Sequence, residues 1–306
     1  MTYKQTVSRV GVCFLFLMLA TQILQTVAVV VTSAAMPDLY NTNWFVWFLS
    51  YIPMYGIAVP LFLLVGKALV PVSSQAPEKS EKMTAVRWIM TFLLCLGLTY
   101  LFNILSSLLV TGIGMLKGTP TQNPLETMVS ASGIVWNLIF GCIVAPVGEE
   151  LIFRKWLYTR LGAFGDKAYV LLGAVIFGLF HGNLSQLFYA VALGGVFCWM
   201  YVRTGSIAVT ISLHMAVNLM GMVVMPALAM TDIGMAVAAV LVMVFLIVGV
   251  VLIVRGFKRI YWKKSDCAPE SPLAALATPG MVGYTILCFA MVIITLFTTE
   301  LNSLLA

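Results

Sequence analysis

The chain has 306 residues, of which 61% are hydrophobic and 9% charged, and its mean hydropathy is +1.04. About a quarter of the residues in a soluble domain are charged, so this chain lacks the polar surface needed to face water on all sides. Its net charge of +6 does not mark a nucleic-acid partner, because Lys and Arg punctuate the gaps between apolar runs and do not gather on one segment.

Nine apolar stretches follow one another along the chain, where one membrane span needs about 20 apolar residues. The first, 10–35, begins after Lys4 and Arg9; it is about twice as long as the apolar core of a signal peptide and is expected to be a retained helix. The next three are 44–66, 88–116 and 131–160. The fifth, 168–181, is short, and as a helix it extends only about 21 Å against a hydrocarbon core of about 30 Å. Four more follow at 184–202, 206–228, 233–254 and 281–299, with polar connections at 67–87 and 255–280. The expected fold is therefore all-α, a polytopic transmembrane helical bundle of about nine spans, one of them short and membrane-buried. Residues 1–306 are expected to form a single integral membrane domain, with a core at 131–225 flanked by accessory helices in 1–130 and 229–306. The six cysteines show no CxxC spacing and five fall inside apolar runs, which suits small buried hydrophobes rather than disulfides or a zinc-cysteine site.

Placing these connections alternately on two sides tests the count. With the N-terminus cytoplasmic, Lys4, Arg9, Lys67, Lys79, Lys82, Arg87, Arg154, Lys155, Arg160, Lys167, Arg203, Arg255, Lys258, Arg259, Lys263 and Lys264 fall inside, and only Lys117 falls outside. That asymmetry is what the positive-inside rule expects of a correct topology.

Ionisable residues within spans are costly and mark functional sites by default. Glu149 and Glu150 follow the apolar run 139–145, and the only two histidines, His181 and His214, also lie in apolar segments. Asn218 follows His214 by four residues, so both share one helix face. Counted from the basic residues at the cytoplasmic turns, Glu149, His181, His214 and Asn218 lie at similar depths of about 17–23 Å. Arg154, four residues after Glu150, is spaced to pair with it. Glu149 is rotated away from that pair, which suits a general base. Pro146 and Gly148 are expected to bend the helix and admit a close neighbour. His181 followed by Gly182 reads as a glycine-capped helix end, tolerated inside a bilayer where protein or a wet cavity surrounds it.

Glu149-Glu150-Leu151-Ile152-Phe153-Arg154 fits an EExxxR pattern, Phe177 to His181 fits FxxxH, and His214 to Asn218 fits HxxxN. In this order and inside apolar helices, they resemble the CAAX protease and bacteriocin-processing (ABI) family of intramembrane glutamate proteases, over about residues 131–225. The resemblance implies metal-independent hydrolysis of a peptide bond in a membrane-associated peptide or protein. Glu149 and His181 would activate water, His214 and Asn218 would stabilise the oxyanion, and Glu150, Arg154 and Phe177 would support them. No cofactor is implied, although two carboxylates and two histidines also suit zinc. A proton-coupled transporter, a non-catalytic membrane scaffold or immunity protein, and a purely structural ion-pair network are the competing readings. Short loops suit a bacterial plasma membrane, with the active site opening to the cytoplasm.

Overall fold

The computed structural model describes residues 1–79, 81–121, 123–257, 260–263 and 265–298. Among the described residues, nine principal helices form in the expected places: α1 (Tyr3–Ala35), α2 (Phe45–Leu69), α3 (Ala85–Lys117), α4 (Ile134–Phe164), α5 (Asp166–Phe180), α6 (Leu184–Thr204), α7 (Ile207–Leu228), α8 (Asp232–Gly256) and α9 (Pro279–Leu296). All but α5 are long and apolar enough to cross a membrane, and no strand occurs among the described residues. The protein is a polytopic integral membrane protein. Lys258, Arg259 and Lys264, three of the basic residues assigned to the inside, lie outside the described residues, as does residue 299 at the end of the ninth apolar stretch.

Local sequence explains where these helices start and stop. Thr2 and Gln5 form a capping box that opens α1, and the Thr84 hydroxyl accepts from the Arg87 amide to open α3. Such caps satisfy amides that have no carbonyl partner in the first helical turn. α3 ends at Gly118, whose φ of 76° lies in the left-handed region that glycine enters without strain.

α5 and α6 form a tight antiparallel hairpin, α3 packs on α6 and α8, and α1 packs on α9. Where α3 crosses α8, a Cβ built on Gly97 would lie 2.6 Å from the Gly249 Cα, so two glycines let the backbones meet as small residues do between membrane helices. The main core gathers Phe14, Phe62, Phe153, Tyr169, Phe177 and Tyr284 from α1, α2, α4, α5 and α9. Its one buried phenol on α9, Tyr284, donates to the Ile176 carbonyl at 2.9 Å. Five cysteines are buried and Cys267 is exposed, as the spacing suggested. The outer faces carry exposed apolar residues such as Ile233, Val240, Ile247 and Val254 on α8, the surface expected where lipid tails replace water.

Candidate active site

α4 is irregular where it carries its glutamates. A π-helical stretch spans Asn137–Val144, an α-helical one Ala145–Glu150, and a second π-helical one Leu151–Trp156. π-turns inside α-helices recur at functional sites because they re-aim side chains. Pro146, without an amide proton, sits at the first junction, and Gly148 leaves room for a neighbour. A Cβ on Gly148 would fall 2.2 Å from the Tyr55 ring of α2, whose hydroxyl donates weakly to the Ala145 carbonyl at 3.5 Å.

The two adjacent glutamates then diverge. Glu150 is wholly buried and pairs with Arg154 Nε at 3.1 Å, one helical turn on. The guanidinium, equally buried, lies over the Phe177 ring at 4.3 Å and the Phe197 ring at 5.2 Å, and Tyr169 donates its hydroxyl to the Arg154 carbonyl. This charge is thus compensated by a carboxylate and two aromatic faces, as a desolvated guanidinium must be. Glu149 points elsewhere and keeps 17% of its side chain exposed. Of the two, it is the carboxylate a substrate or water can reach.

His214 comes from α7 and stands between both. Its Nδ1 lies 2.9 Å from Glu150 Oε1 and its Nε2 3.8 Å from Glu149 Oε2. A carboxylate only accepts, so Nδ1 carries a proton and Nε2 faces Glu149. One turn further, Asn218 donates through Nδ2 to the Gly141 carbonyl at 2.9 Å. That carbonyl belongs to the first π-helical stretch of α4, and a further π-helical stretch, Met220–Val224, follows Asn218 itself. α7 is therefore pinned to α4 at two levels by the two polar residues of one face.

His181 closes α5. It is the C-terminal cap, and Gly182 follows with a φ of 59°. Its Nδ1 lies 2.9 Å from the Phe177 carbonyl; because a carbonyl cannot donate, Nδ1–H is the proton and Nε2 keeps a free lone pair in the neutral ring. Among the described residues His181 makes no ion pair with Glu149; the two are linked through His214, which faces Glu149 and packs against the Phe177 ring beside His181. Phe177 serves twice, packing edge-on to His181 at 4.9 Å and to His214 at 6.0 Å.

Glu149, Glu150, Arg154, Phe177, His181 and His214 thus converge from three helices, with Asn218 one turn away on α7. Two features were not expected from spacing. His214 bonds to Glu150, so the supporting glutamate and the histidine form one unit. Tyr55 packs its ring on Gly148, next to Glu149, and Tyr51 packs against Tyr55 at 5.5 Å; tyrosines in apolar spans carry no positional signature that would single them out. Among the described residues, no three His, Cys, Asp or Glu side chains have a spacing that would hold a metal ion.

Residues 131–220 match the family described as type II CAAX prenyl endopeptidase Rce1-like. Over these residues the protein is similar to the CAAX protease family. The resemblance carried by the three motifs is borne out by that match and by curated relatives. YdiL of Bacillus subtilis (strain 168) is 32% identical over 105 residues, covering 33% of this chain and 42% of YdiL. CAAX prenyl protease 2 of Arabidopsis thaliana is 31% identical over 125 residues, covering 33% of this chain and 39% of the plant protein. The membrane-embedded CAAX protease MroQ of Staphylococcus aureus (strain USA300) is 26% identical over 174 residues, covering 54% of this chain and 68% of MroQ. The chain thus spans about two fifths of the length of the first two relatives. No solved structure matches it. The matched residues 131–220 hold the EExxxR, FxxxH and HxxxN motifs, whereas Tyr51 and Tyr55 on α2 come from outside them.

Proposed function

We propose that this protein is a membrane-embedded endopeptidase of the CAAX type that hydrolyses a peptide bond in a membrane-associated peptide or protein. The observation that carries the reading is the placement of His214 between an accessible carboxylate, Glu149, and a buried one, Glu150. An accessible carboxylate beside two oriented imidazoles, within an apolar bundle, has the parts for activating water and bearing the charge that forms on a carbonyl.

Glu149 is the general base. It takes a proton from water as the oxygen attacks the scissile carbonyl, and returns that proton to the leaving amine when the C–N bond breaks. His181 presents its Nε2 lone pair to the other proton of the same water, its ring held by the Phe177 carbonyl. The oxyanion is met by Asn218, whose Nδ2 gives one hydrogen to Gly141 and has a second to donate, and by His214. With Nδ1–H on Glu150, His214 donates through Nε2 only when it holds both protons, and the buried Glu150 carboxylate balances that charge. Donors set in advance are worth most where water is scarce.

The Lys and Arg asymmetry supports a cytoplasmic N-terminus and a site entered from the cytoplasmic side, in a bacterial plasma membrane. The names of two relatives make a farnesylated CAAX peptide the first probe, alongside a quenched fluorescent peptide library. Purified protein and Glu149→Gln are compared with and without a strong chelator. Cleavage lost in the variant and resistant to the chelator is the expected result. Chelator-sensitive cleavage assigns the chemistry to zinc, and flux of protons or solute without cleavage assigns the site to transport.

A further inference from the structure

Three arginines are buried among the described residues, and two of them have their acids. Arg154 pairs with Glu150, and Arg203 lies beside Asp166 and Glu81. Arg160, near the end of α4, is 9% exposed and has no carboxylate partner among the described residues. Its guanidinium lies over the Trp156 ring at 4.6 Å. Nε is sealed without an acceptor, Nη1 donates to the Thr159 hydroxyl, and Nη2 is neither bonded nor sealed. A guanidinium stays charged in proteins, and a charge so far removed from water is costly without an anion. One edge of this cation is open toward a partner that the described chain does not supply.

The surroundings are cationic. Trp156 is fixed against α2, where a Cβ on Gly66 would fall 2.6 Å from its ring, and edge-on to Phe14 of α1 at 5.8 Å. Shortly beyond Gly66, the Leu69 carbonyl accepts from the exposed Arg9 of α1 at 3.0 Å. The chain then runs to Arg160, whose carbonyl accepts the Ser73 hydroxyl at 2.8 Å. Segment 66–73 thus joins Arg9 and Arg160 in one corner between α1, α2 and α4, and it carries the exposed Lys67. Acids of the neighbouring connections are engaged elsewhere, Glu81 and Asp166 by Arg203 and Glu78 by Lys263. Just before Lys67, α2 turns Leu63 and Leu64 outward, 45% and 65% exposed. A ligand in this corner meets cations at its head and an apolar helix face along its tail.

We propose that this corner binds the phosphodiester headgroup of an anionic phospholipid, with the open guanidinium edge of Arg160 as the inner contact and Arg9 and Lys67 as outer ones. The depth fits, because Arg160 stands about 17 Å beyond Glu149 along α4, where the helix gives way to the turn Gly162–Phe164. Basic pockets between helix ends hold lipid headgroups in this way, and a planar guanidinium meets two phosphate oxygens at once. In the orientation proposed above, the lipid comes from the cytoplasmic leaflet. Bound there, it ties α1 and α2 to the end of the helix that carries Glu149 and Glu150.

Thermal unfolding of the delipidated protein in a neutral detergent tests this. Added phosphatidylglycerol should raise the melting temperature by several degrees, while phosphatidylcholine of the same acyl chains and millimolar inorganic phosphate should not. Arg160→Gln keeps much of the length and loses the charge. It should weaken phosphatidylglycerol binding about tenfold or more, the usual loss for a hydrogen bond to a charged group. Arg9→Gln should weaken it about fivefold. Arg255→Gln, exposed at the end of α8, a helix that packs on α3, should leave it unchanged. If Arg160→Gln fails to fold, native mass spectra decide: the wild type should retain phosphatidylglycerol over phosphatidylcholine, and Arg9→Gln should retain several-fold less. Equal shifts with the two lipids, or an undiminished shift in Arg160→Gln, overturn the proposal. Inorganic phosphate that matches the lipid's effect also overturns it and assigns the corner to a soluble phosphate ligand.

Discussion

Two neighbouring glutamates illustrate how one helix gives the same side chain opposite tasks. Glu150 is sealed against Arg154 and His214, so removing a partner strands a charge where water cannot reach it. Arg154→Met is expected to cost about 3–5 kcal/mol, read as a lowered detergent-solubilised melting temperature. Glu149 has no such structural duty. Glu149→Gln and His181→Ala should each abolish peptide cleavage while leaving the melting temperature within a few degrees, and an equal loss of folding would place both residues in the scaffold. Asn218→Ala should reduce turnover by about 100- to 1000-fold, the usual value of one oxyanion donor. Because Asn218 also ties α7 to the Gly141 carbonyl, the melting temperature of Asn218→Ala is measured beside its turnover, and lost turnover at an unchanged melting temperature assigns the amide to the oxyanion. Unchanged turnover would remove Asn218 from that role.

At the scale of elements, the short α5 and the irregular α4 serve the same end. A helix that stops at His181 exposes the end of a turn within the apolar layer, and the loop Gly182–Asn183 starts the next helix at once, with Asn183 capping it. In α4, the π-helical stretches rotate the glutamates relative to the residues before and after them, so that Glu150 meets α7 and Gly148 meets α2. Helix contacts elsewhere depend on small residues. Gly97→Leu would drive a side chain into the Gly249 backbone and the Phe245 carbonyl, each 2.6 Å from an added Cβ. Overpacking of this kind costs about 1–3 kcal/mol or more, and the expected outcome is loss of α3–α8 packing, measured as a lowered melting temperature and faster proteolysis of α8.

For the whole molecule, one arginine joins three connections at a single end of the bundle. Arg203, at the end of α6, lies 3.9 Å from Glu81 Oε1 and 3.7 Å from Asp166 Oδ2, donates to the Tyr261 carbonyl and stacks on the Tyr261 ring at 3.6 Å. The Lys263 amide donates to Asp166, and the Glu81 amide to the Arg203 carbonyl. This end holds the entry to α3, the α4–α5 turn and the α8–α9 connection together. Arg203→Ala should leave Asp166 without its arginine and speed amide exchange in residues 265–278 while turnover falls less than in Glu149→Gln. Sidedness has a test in the native chain. Cys267 is exposed and the other five cysteines are buried, so a membrane-impermeant maleimide should label Cys267 only in vesicles that expose the cytoplasmic face. Labelling of right-side-out vesicles would reverse the topology.

The amino-acid sequence by itself determined the solvent, the helices and the candidate residues. Eight apolar runs of membrane length and a shorter ninth, sparse charges and glycine or threonine caps are local properties, and each acts through the chain's own backbone and the lipid around it. The EExxxR, FxxxH and HxxxN patterns were equally legible, since four-residue spacings within a helix fix which side chains share a face. Only the tertiary structure decided how those faces meet. That His214 takes Glu150, that Asn218 reaches Gly141, and that Tyr55 reaches Ala145 are contacts between segments 64 to 90 residues apart. They depend on helix rotation, on π-turns that break the 3.6-residue period, and on glycines that let particular helices approach. None of these leaves a repeat in the sequence, because an aromatic residue in an apolar span looks the same whether it faces lipid, core or a carboxylate.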